Sequence, residues 1–153
     1  MSERENSKCV CECGSVSYLV PSKPLFRMYC HCSICQKFND AAYGDICVYR
    51  SADVERPKEG LVKFSTFRPP PNVQRGKCTS CKKPAIEILE APLFPKLILV
   101  PGSMLRNRDL LPESVGHVFY EGRVADVQDG LPKHNGYLKS QLVFGKHLLE
   151  MLW

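Results

Sequence analysis

Eight of the nine cysteines in this sequence fall into three tight groups. Cys9, Cys11 and Cys13 form C-x-C-x-C, Cys30, Cys32 and Cys35 form C-x-C-x-x-C, Cys78 and Cys81 form C-x-x-C, and Cys47 stands alone. Thiols one or two residues apart on a tight turn can aim their sulfur atoms at one point, and tetrahedral zinc asks for sulfur about 2.3 Å from the ion. Closing a site takes a second such group from elsewhere in the chain, so metal binding would tether distant segments and supply folding energy. Isolated buried cysteines serve as small hydrophobic residues, but core packing does not ask for this grouping. The spacing therefore predicts metal ligation. A redox pair at Cys78 and Cys81 is the weaker alternative, because the strand-to-helix context of such a motif is missing.

An odd number of thiols cannot all pair as disulfides, and the polar opening over residues 1–8 lacks the apolar run of a secretory leader. Both features point to a reducing compartment and a cytoplasmic protein. The apolar stretch from Leu97 to Val100 is far shorter than the roughly 20 residues of a membrane span, so no membrane association is expected. Lys and Arg number 21 against 16 Asp and Glu, and their local cluster is Arg75, Lys77, Lys82 and Lys83 beside the last cysteine pair. A net charge of +5 scattered in this way predicts no nucleic-acid partner. The length suits one domain over residues 1–153.

The elements that must position these thiols are short. Alternating apolar residues at Val16, Tyr18 and Val20, at Ile46 and Val48, at Val62 and Phe64, at Ile86 and Ile88, along Leu97 to Val100, and at Val118 with Tyr120 predict half-buried strands. Turn formers separate them, as at Pro57 to Gly60, Pro101-Gly102 and Asp129-Gly130-Leu131-Pro132, and Pro69-Pro70-Pro71 predicts a stiff connector. Helix is expected only in the tail, where Leu138, Leu142, Leu149 and Leu152 fall on one face around Gly145. The fold class is mainly β.

Several segments resemble one family. Cys11-Glu12-Cys13-Gly14-Ser15-Val16, Tyr29-Cys30-His31-Cys32-Ser33-Ile34-Cys35-Gln36-Lys37 and Cys78-Thr79-Ser80-Cys81 are similar, in that order, to the cysteine motifs of the glutathione-dependent formaldehyde-activating enzymes and centromere protein V. His117-Val118-Phe119-Tyr120 and Asp129-Gly130-Leu131-Pro132 resemble that family's closing segments. The resemblance implies an Mss4-like fold of several small antiparallel sheets organised around zinc. It also implies two Zn²⁺ ions, a closed structural one on Cys11, Cys13, Cys78 and Cys81 and an open catalytic one on Cys30, Cys32 and Cys35. The implied activity is that of a carbon–sulfur lyase, adding a small thiol such as glutathione to an aldehyde such as formaldehyde, or the reverse. Two positions depart from the family pattern: Lys82 stands where many members carry Gly, and Lys77 where many carry an aromatic residue. Cys9 has the same spacing to Cys11 as Cys11 to Cys13 and could replace Cys11.

Four thiolates on Zn²⁺ leave a doubly negative site, which Arg75, Lys77, Lys82 and Lys83 could offset unless they form an ordinary solvated face. Three thiolates leave an open fourth position that suits a soft sulfur ligand. Proton transfer would need a further group, for which His31, His117, His134, Glu12 and Asp45 are candidates by type. His31 is read as turned outward or locally bonded, and His117 as a satisfied, partly buried strand histidine. The competing readings are a non-catalytic zinc-stabilised binding module and an enzyme of the same fold acting on another carbonyl or imine.

Overall fold

The computed structural model describes residues 6–66, 73–90 and 95–152; the predicted proline connector lies outside them. Strands β1 (Asn6–Val10) and β2 (Ser17–Pro21) form an antiparallel hairpin whose inward residues alternate with exposed ones, as period two demands. The other strands are β3 (Phe26–Cys30), β4 (Gly44–Arg50), β5 (Val62–Ser65), β6 (Val73–Cys78), β7 (Pro84–Leu89), β8 (Leu97–Pro101) and β9 (His117–Val118). Among the described residues they make one seven-stranded sheet in the order β5-β6-β7-β8-β4-β3-β9, antiparallel except for the parallel pair β3–β9. The mainly β expectation holds.

Strand β8 is buried at all five positions, because the sheet is covered on both faces. On one face the β1–β2 hairpin packs Val16, Tyr18 and Val20 against Cys47, Tyr49, Ile86, Ile88, Ile98 and Val100. On the other, Phe26, Met28, Val48, Leu97 and Leu99 form a second core with Cys30, Cys35 and Leu148.

Two corrections concern helices. Helix was expected only in the tail, yet α1 (Ser33–Asn39) starts directly after the second cysteine motif. Seven residues are too few to show an apolar period, so its cause is local. Cys32 is the N-cap and its Sγ accepts the Cys35 N–H at 3.3 Å, while Asp40 closes the far end in the left-handed region at φ 47°. Gly44 admits the helix against β4, since a Cβ there would stand 2.9 Å from Asn39 Nδ2 and 3.4 Å from Cys35 Cβ.

The tail does form α2 (Tyr137–Leu152), but Leu138, Leu142 and Leu149 of the predicted stripe are exposed. The docked side carries Ser140, Phe144 and Leu148. Ser140 Oγ accepts the Phe119 N–H at 2.9 Å, and Phe144 meets Phe26 edge to face with ring centroids 5.5 Å apart. Leucine spacing marks a helix, but here polar and aromatic contacts choose the docking face. No helix among the described residues is long and apolar enough to cross a membrane.

Candidate metal centre

Two groups of sulfur atoms converge. The first joins Cys11 and Cys13, from the turn after β1, to Cys78 and Cys81, from the β6–β7 turn; the second joins Cys30 at the end of β3 to Cys32 and Cys35 at the start of α1. Within each group all sulfurs lie within 4.8 Å of one another. A tetrahedron of sulfurs about 2.3 Å from zinc has edges of about 3.8 Å. The pairs Cys11–Cys13 at 3.3 Å, Cys11–Cys78 at 3.8 Å, Cys13–Cys78 at 3.6 Å and Cys30–Cys32 at 3.4 Å match that spacing and are too long for disulfides. Backbone N–H groups already face the sulfurs: Val16 donates to Cys11 at 3.3 Å, Cys35 to Cys32 at 3.3 Å and Cys81 to Cys78 at 3.4 Å. Such donors favour thiolates, so both groups fit a thiophilic ion.

The C-x-C ambiguity is decided by the strand. Cys9 points into the core opposite Tyr18, 0 % exposed, and burial pushes its thiol up to about 12. Cys11 and Cys13 lie in the turn beyond β1 and reach the β6–β7 turn. Contacts with Ser15, side chain first, bring the exposed Cys13 thiol down to about 6. Cys47 is a core thiol, raised to about 12 chiefly by burial. In the second group Cys30 and Cys35 share their protons with Cys32. Their hydrogen bonds hold Cys32 far below the usual thiol range, and Cys30 and Cys35 are raised in turn.

The basic cluster does not act as one body. Lys83 pairs with Glu12, Lys82 Nζ donates to the Thr79 carbonyl at 2.6 Å, and Lys77 Nζ sits 5.6 Å from the centre of the Phe38 ring. Arg75 favours the Cys32 thiolate, on the other centre. Lys82 occupies the left-handed region at φ 63°, with its N–H on the Cys78 carbonyl at 2.9 Å, so a turn usually served by glycine is made here by a residue that pays a steric cost. Lys82→Gly is expected to raise stability by about 0.5–1 kcal/mol, read as a higher denaturant midpoint at unchanged slope.

His117 is a satisfied strand histidine as expected, with both ring nitrogens bonded, whereas His31 differs from its expected place. His31 is not turned outward: it is 1 % exposed, and its Nε2 lies 2.7 Å from Nδ1 of His117, which is 0 % exposed. His117 Nε2 is in turn 2.6 Å from Asp129 Oδ2. Parallel pairing of β3 with β9 sets Tyr29 beside His117 and brings these rings together. Gly116 allows this register, because at φ 148° it passes the Pro132 carbonyl where a Cβ would stand 2.8 Å from the oxygen. Asp129 can only accept, so His117 carries its proton on Nε2, His31 donates through Nε2, and His31 Nδ1 is left as a buried lone pair without a partner. Burial first, and then His117, push His31 down to about 4, which keeps it neutral. Partial burial pushes the Asp129 carboxyl up, but Lys133, His117 and the Leu131 N–H outweigh it and hold the group well below its usual range.

That arrangement makes a prediction. Lys133 Nζ at 2.7 Å and the Leu131 N–H at 3.0 Å pin Asp129 Oδ1. In Asp129→Asn the amide oxygen keeps those donors, so the NH₂ faces His117 and reverses the tautomer of both rings. Imidazole ¹⁵N shifts should exchange accordingly, with about 1–3 kcal/mol of stability lost at neutral pH. A depressed carboxyl contributes stability above its unfolded pKa and loses it as pH falls, so the gap between parent and variant should close below about pH 4.

The other acid–base candidates are occupied: Glu12 by Lys83, and Asp45 by Arg27 through two bonds of 2.8 Å. His134 is half-buried, its Nδ1 lacks a partner, and burial is the main cause of its lowered pKa. Sequence reasoning missed Glu87. It is 3 % exposed on β7, with Oε1 3.8 Å from Arg75 Nε, and burial pushes it up to about 7. A signal was present, since Glu87 interrupts the apolar run Ala85-Ile86-Glu87-Ile88-Leu89 of a strand buried on both faces. A cleft of about 880 Å³ opens between α1 and the Cys81 turn, with Lys37, Lys77, Lys82 and Arg106 on its walls.

The model of the glutathione-dependent formaldehyde-activating enzymes matches residues 6–122. The chain belongs to this family. The match takes in both cysteine groups and ends before Asp129 and α2. The crystal structure of a Rhodobacter sphaeroides protein is similar at a TM-score of 0.55 and 19 % identity, covering 72 % of this chain and 98 % of that one, a likeness of fold. No curated protein compared with the chain matches it significantly.

Proposed function

We propose that this member of the family is a zinc-dependent carbon–sulfur lyase-type enzyme of the cytoplasm. It joins a thiol of the glutathione kind to a small aldehyde, or releases it, at the centre formed by Cys30, Cys32 and Cys35. Cys11, Cys13, Cys78 and Cys81 hold a second, structural zinc. The observation that supports this division is the difference between the two groups. One offers four sulfurs, enough to saturate a tetrahedral ion, whereas the other offers three, and among the described residues no other cysteine, histidine or carboxylate joins it.

A zinc ion on three thiolates would favour a fourth soft ligand and hold a substrate thiol ionised at neutral pH. The chain's own residues supply the rest. The Cys35 N–H and the Arg75 charge both stabilise Cys32 as a thiolate, while Cys30 and Cys35 are anchored in the core around Phe26 and Leu99. The large cleft beside α1 borders Cys11 and Cys81 of the four-sulfur group, and its walls mix Lys37, Lys77, Lys82 and Arg106 with Glu12, Asp40 and Asp45.

Cobalt substitution tests the reading, because d–d bands report the ligand set. Adding glutathione should alter the spectrum of one site and leave the four-sulfur site unchanged, and formaldehyde should then be consumed in a thiol-dependent way. Two closed four-sulfur spectra that ignore thiol would overturn it in favour of a scaffold.

A further inference from the structure

Gln36 Nε2 donates to two backbone carbonyls, those of His31 and Gly122, at 2.8 Å each. A primary amide carries two N–H donors on that nitrogen, so both are used. Both acceptors are carbonyls, so a carboxylate in this place would repel them where an amide joins them. Gln36 stands one turn after Cys32 on α1, and its backbone N–H reaches the Cys32 carbonyl at 3.0 Å. One residue therefore holds the carbonyls of His31 and Cys32 and ties them to a segment far along the chain.

The residue so held lies between two sulfurs. The peptide planes on either side of His31 set the directions in which Cys30 and Cys32 project, and their sulfurs stand 3.4 Å apart. The same distant segment fastens the rest of His31, its N–H on the Val118 carbonyl at 3.0 Å and its ring Nε2 against His117 Nδ1 at 2.7 Å. Close approach is built in at the far end. A Cβ at Gly122 would stand 3.0 Å from the His31 carbonyl oxygen, so glycine lets the two chains come near enough for one amide to span them. Phe119 turns the chain into the 3₁₀ turn Tyr120–Gly122 by taking the left-handed region at φ 52°, an uncommon conformation for an aromatic residue, and the Ser140 hydroxyl holds it there by accepting its N–H at 2.9 Å.

We propose that Gln36 is a positioning residue of the three-cysteine centre: its side-chain amide clamps the loop between Cys30 and Cys32 to the segment 117–122 and so presets these two sulfurs for an ion. The inference rests on the zinc reading above. Thiolates repel one another, and a loop held at its N–H, its carbonyl and its ring keeps them at ligand spacing without an ion to draw them together. His31 is 1 % exposed, so its carbonyl does not regain from bulk water the partner it loses when the amide is removed. The loop would then turn to find another donor, and the two sulfurs would turn with it. The four-sulfur group draws on the β1 and β6–β7 turns, which Gln36 does not touch.

Two variants test the clamp from its two ends. Gln36→Met keeps the length of the side chain and adds no charge but removes both donors, whereas Gly122→Ala wedges the same joint open without altering α1. With both sites loaded with cobalt, the d–d bands of the three-sulfur site should shift in each variant, and a competing chelator should strip that ion at a free concentration about 10–100-fold lower than the parent needs. The four-sulfur site, in the same molecule, should keep its parental bands and affinity. A tie that serves only the fold would lower the unfolding midpoint and leave the bands and affinities of both sites as in the parent. That result overturns the inference, as does an equal change at both sites, and either leaves the thiol–aldehyde reading standing. A parent protein that holds an ion on the four sulfurs alone removes both. Should Gln36→Met fail to fold, Gly122→Ala carries the same comparison.

Discussion

Cys78→Ser is expected to unfold the protein at temperatures where the parent is fully folded. Cys78 is 0 % exposed at the end of β6, and its sulfur lies 3.8 Å from Cys11 and 3.6 Å from Cys13. These contacts tie the β1–β2 hairpin to the main sheet, to which apolar packing, the Cys9–Leu105 bridge and hydrogen bonds such as Tyr18 hydroxyl to Ala85 carbonyl and Glu55 N–H to Leu19 carbonyl also hold it. Under the zinc assignment proposed above, a structural thiolate site contributes on the order of 10 kcal/mol, comparable to the whole stability of a domain this size. Serine is nearly isosteric but is a hard, weakly acidic ligand, so the variant isolates ligation from packing. Thermal unfolding followed by circular dichroism should show a midpoint lowered by at least about 15 °C, and a chelator should bring the parent towards the same value. A shift of only a few degrees in both experiments would mean that the hairpin core suffices without an ion.

The second large effect concerns turnover. Cys32 is both a sulfur of the three-cysteine centre and the N-cap of α1, so Cys32→Ala combines two losses. Losing the cap costs about 1 kcal/mol, and Cys32 is half-buried at the edge of the core around Phe26, Val48 and Leu99, so truncation adds only a small packing loss. Losing the ligand should reduce thiol-dependent formaldehyde turnover by more than the 10–100-fold typical of disturbing an outer partner of a metal, to background. Cys32→Ser separates the two, because serine is a strong N-cap yet a poor substitute for a thiolate. Its stability should be close to that of the parent while its turnover falls as far as that of the alanine variant. Parental turnover in both would remove the three-cysteine centre from the chemistry.

Under the proposal above stability and chemistry divide between two sulfur groups, and the two groups were not equally legible. The C-x-C and C-x-x-C spacings and the period-two apolar runs announced thiolate clusters on a mainly β frame, because both signals are local. Ligand spacing is set by one turn, and strand alternation by the pleat. The choice between Cys9 and Cys11 was not local. It depends on β1 ending at Val10, which sends Cys9 into the core beneath Tyr18 and leaves Cys11 on the turn. Helix α1 escaped notice for the same reason: a cysteine sulfur caps it, and seven residues carry no period.

The residues around the thiolates show the contrast most sharply. His31 and His117 are 86 positions apart, and Asp129 looked like a turn former. Only the parallel pairing of β3 with β9 aligns them into one hydrogen-bonded chain. Glu87 and Arg75 are register partners on β7 and β6, with Arg75 Nε 3.8 Å from Glu87 Oε1. The amino-acid sequence by itself determined the family, the strand-rich class and the grouping of the thiols, since each is written in spacings of a few residues. Tertiary structure decided which thiols converge, which face of α2 docks, and which histidines join Asp129 in one hydrogen-bonded chain. Those contacts link residues tens of positions apart, and strand order and register, which no short pattern encodes, bring them together.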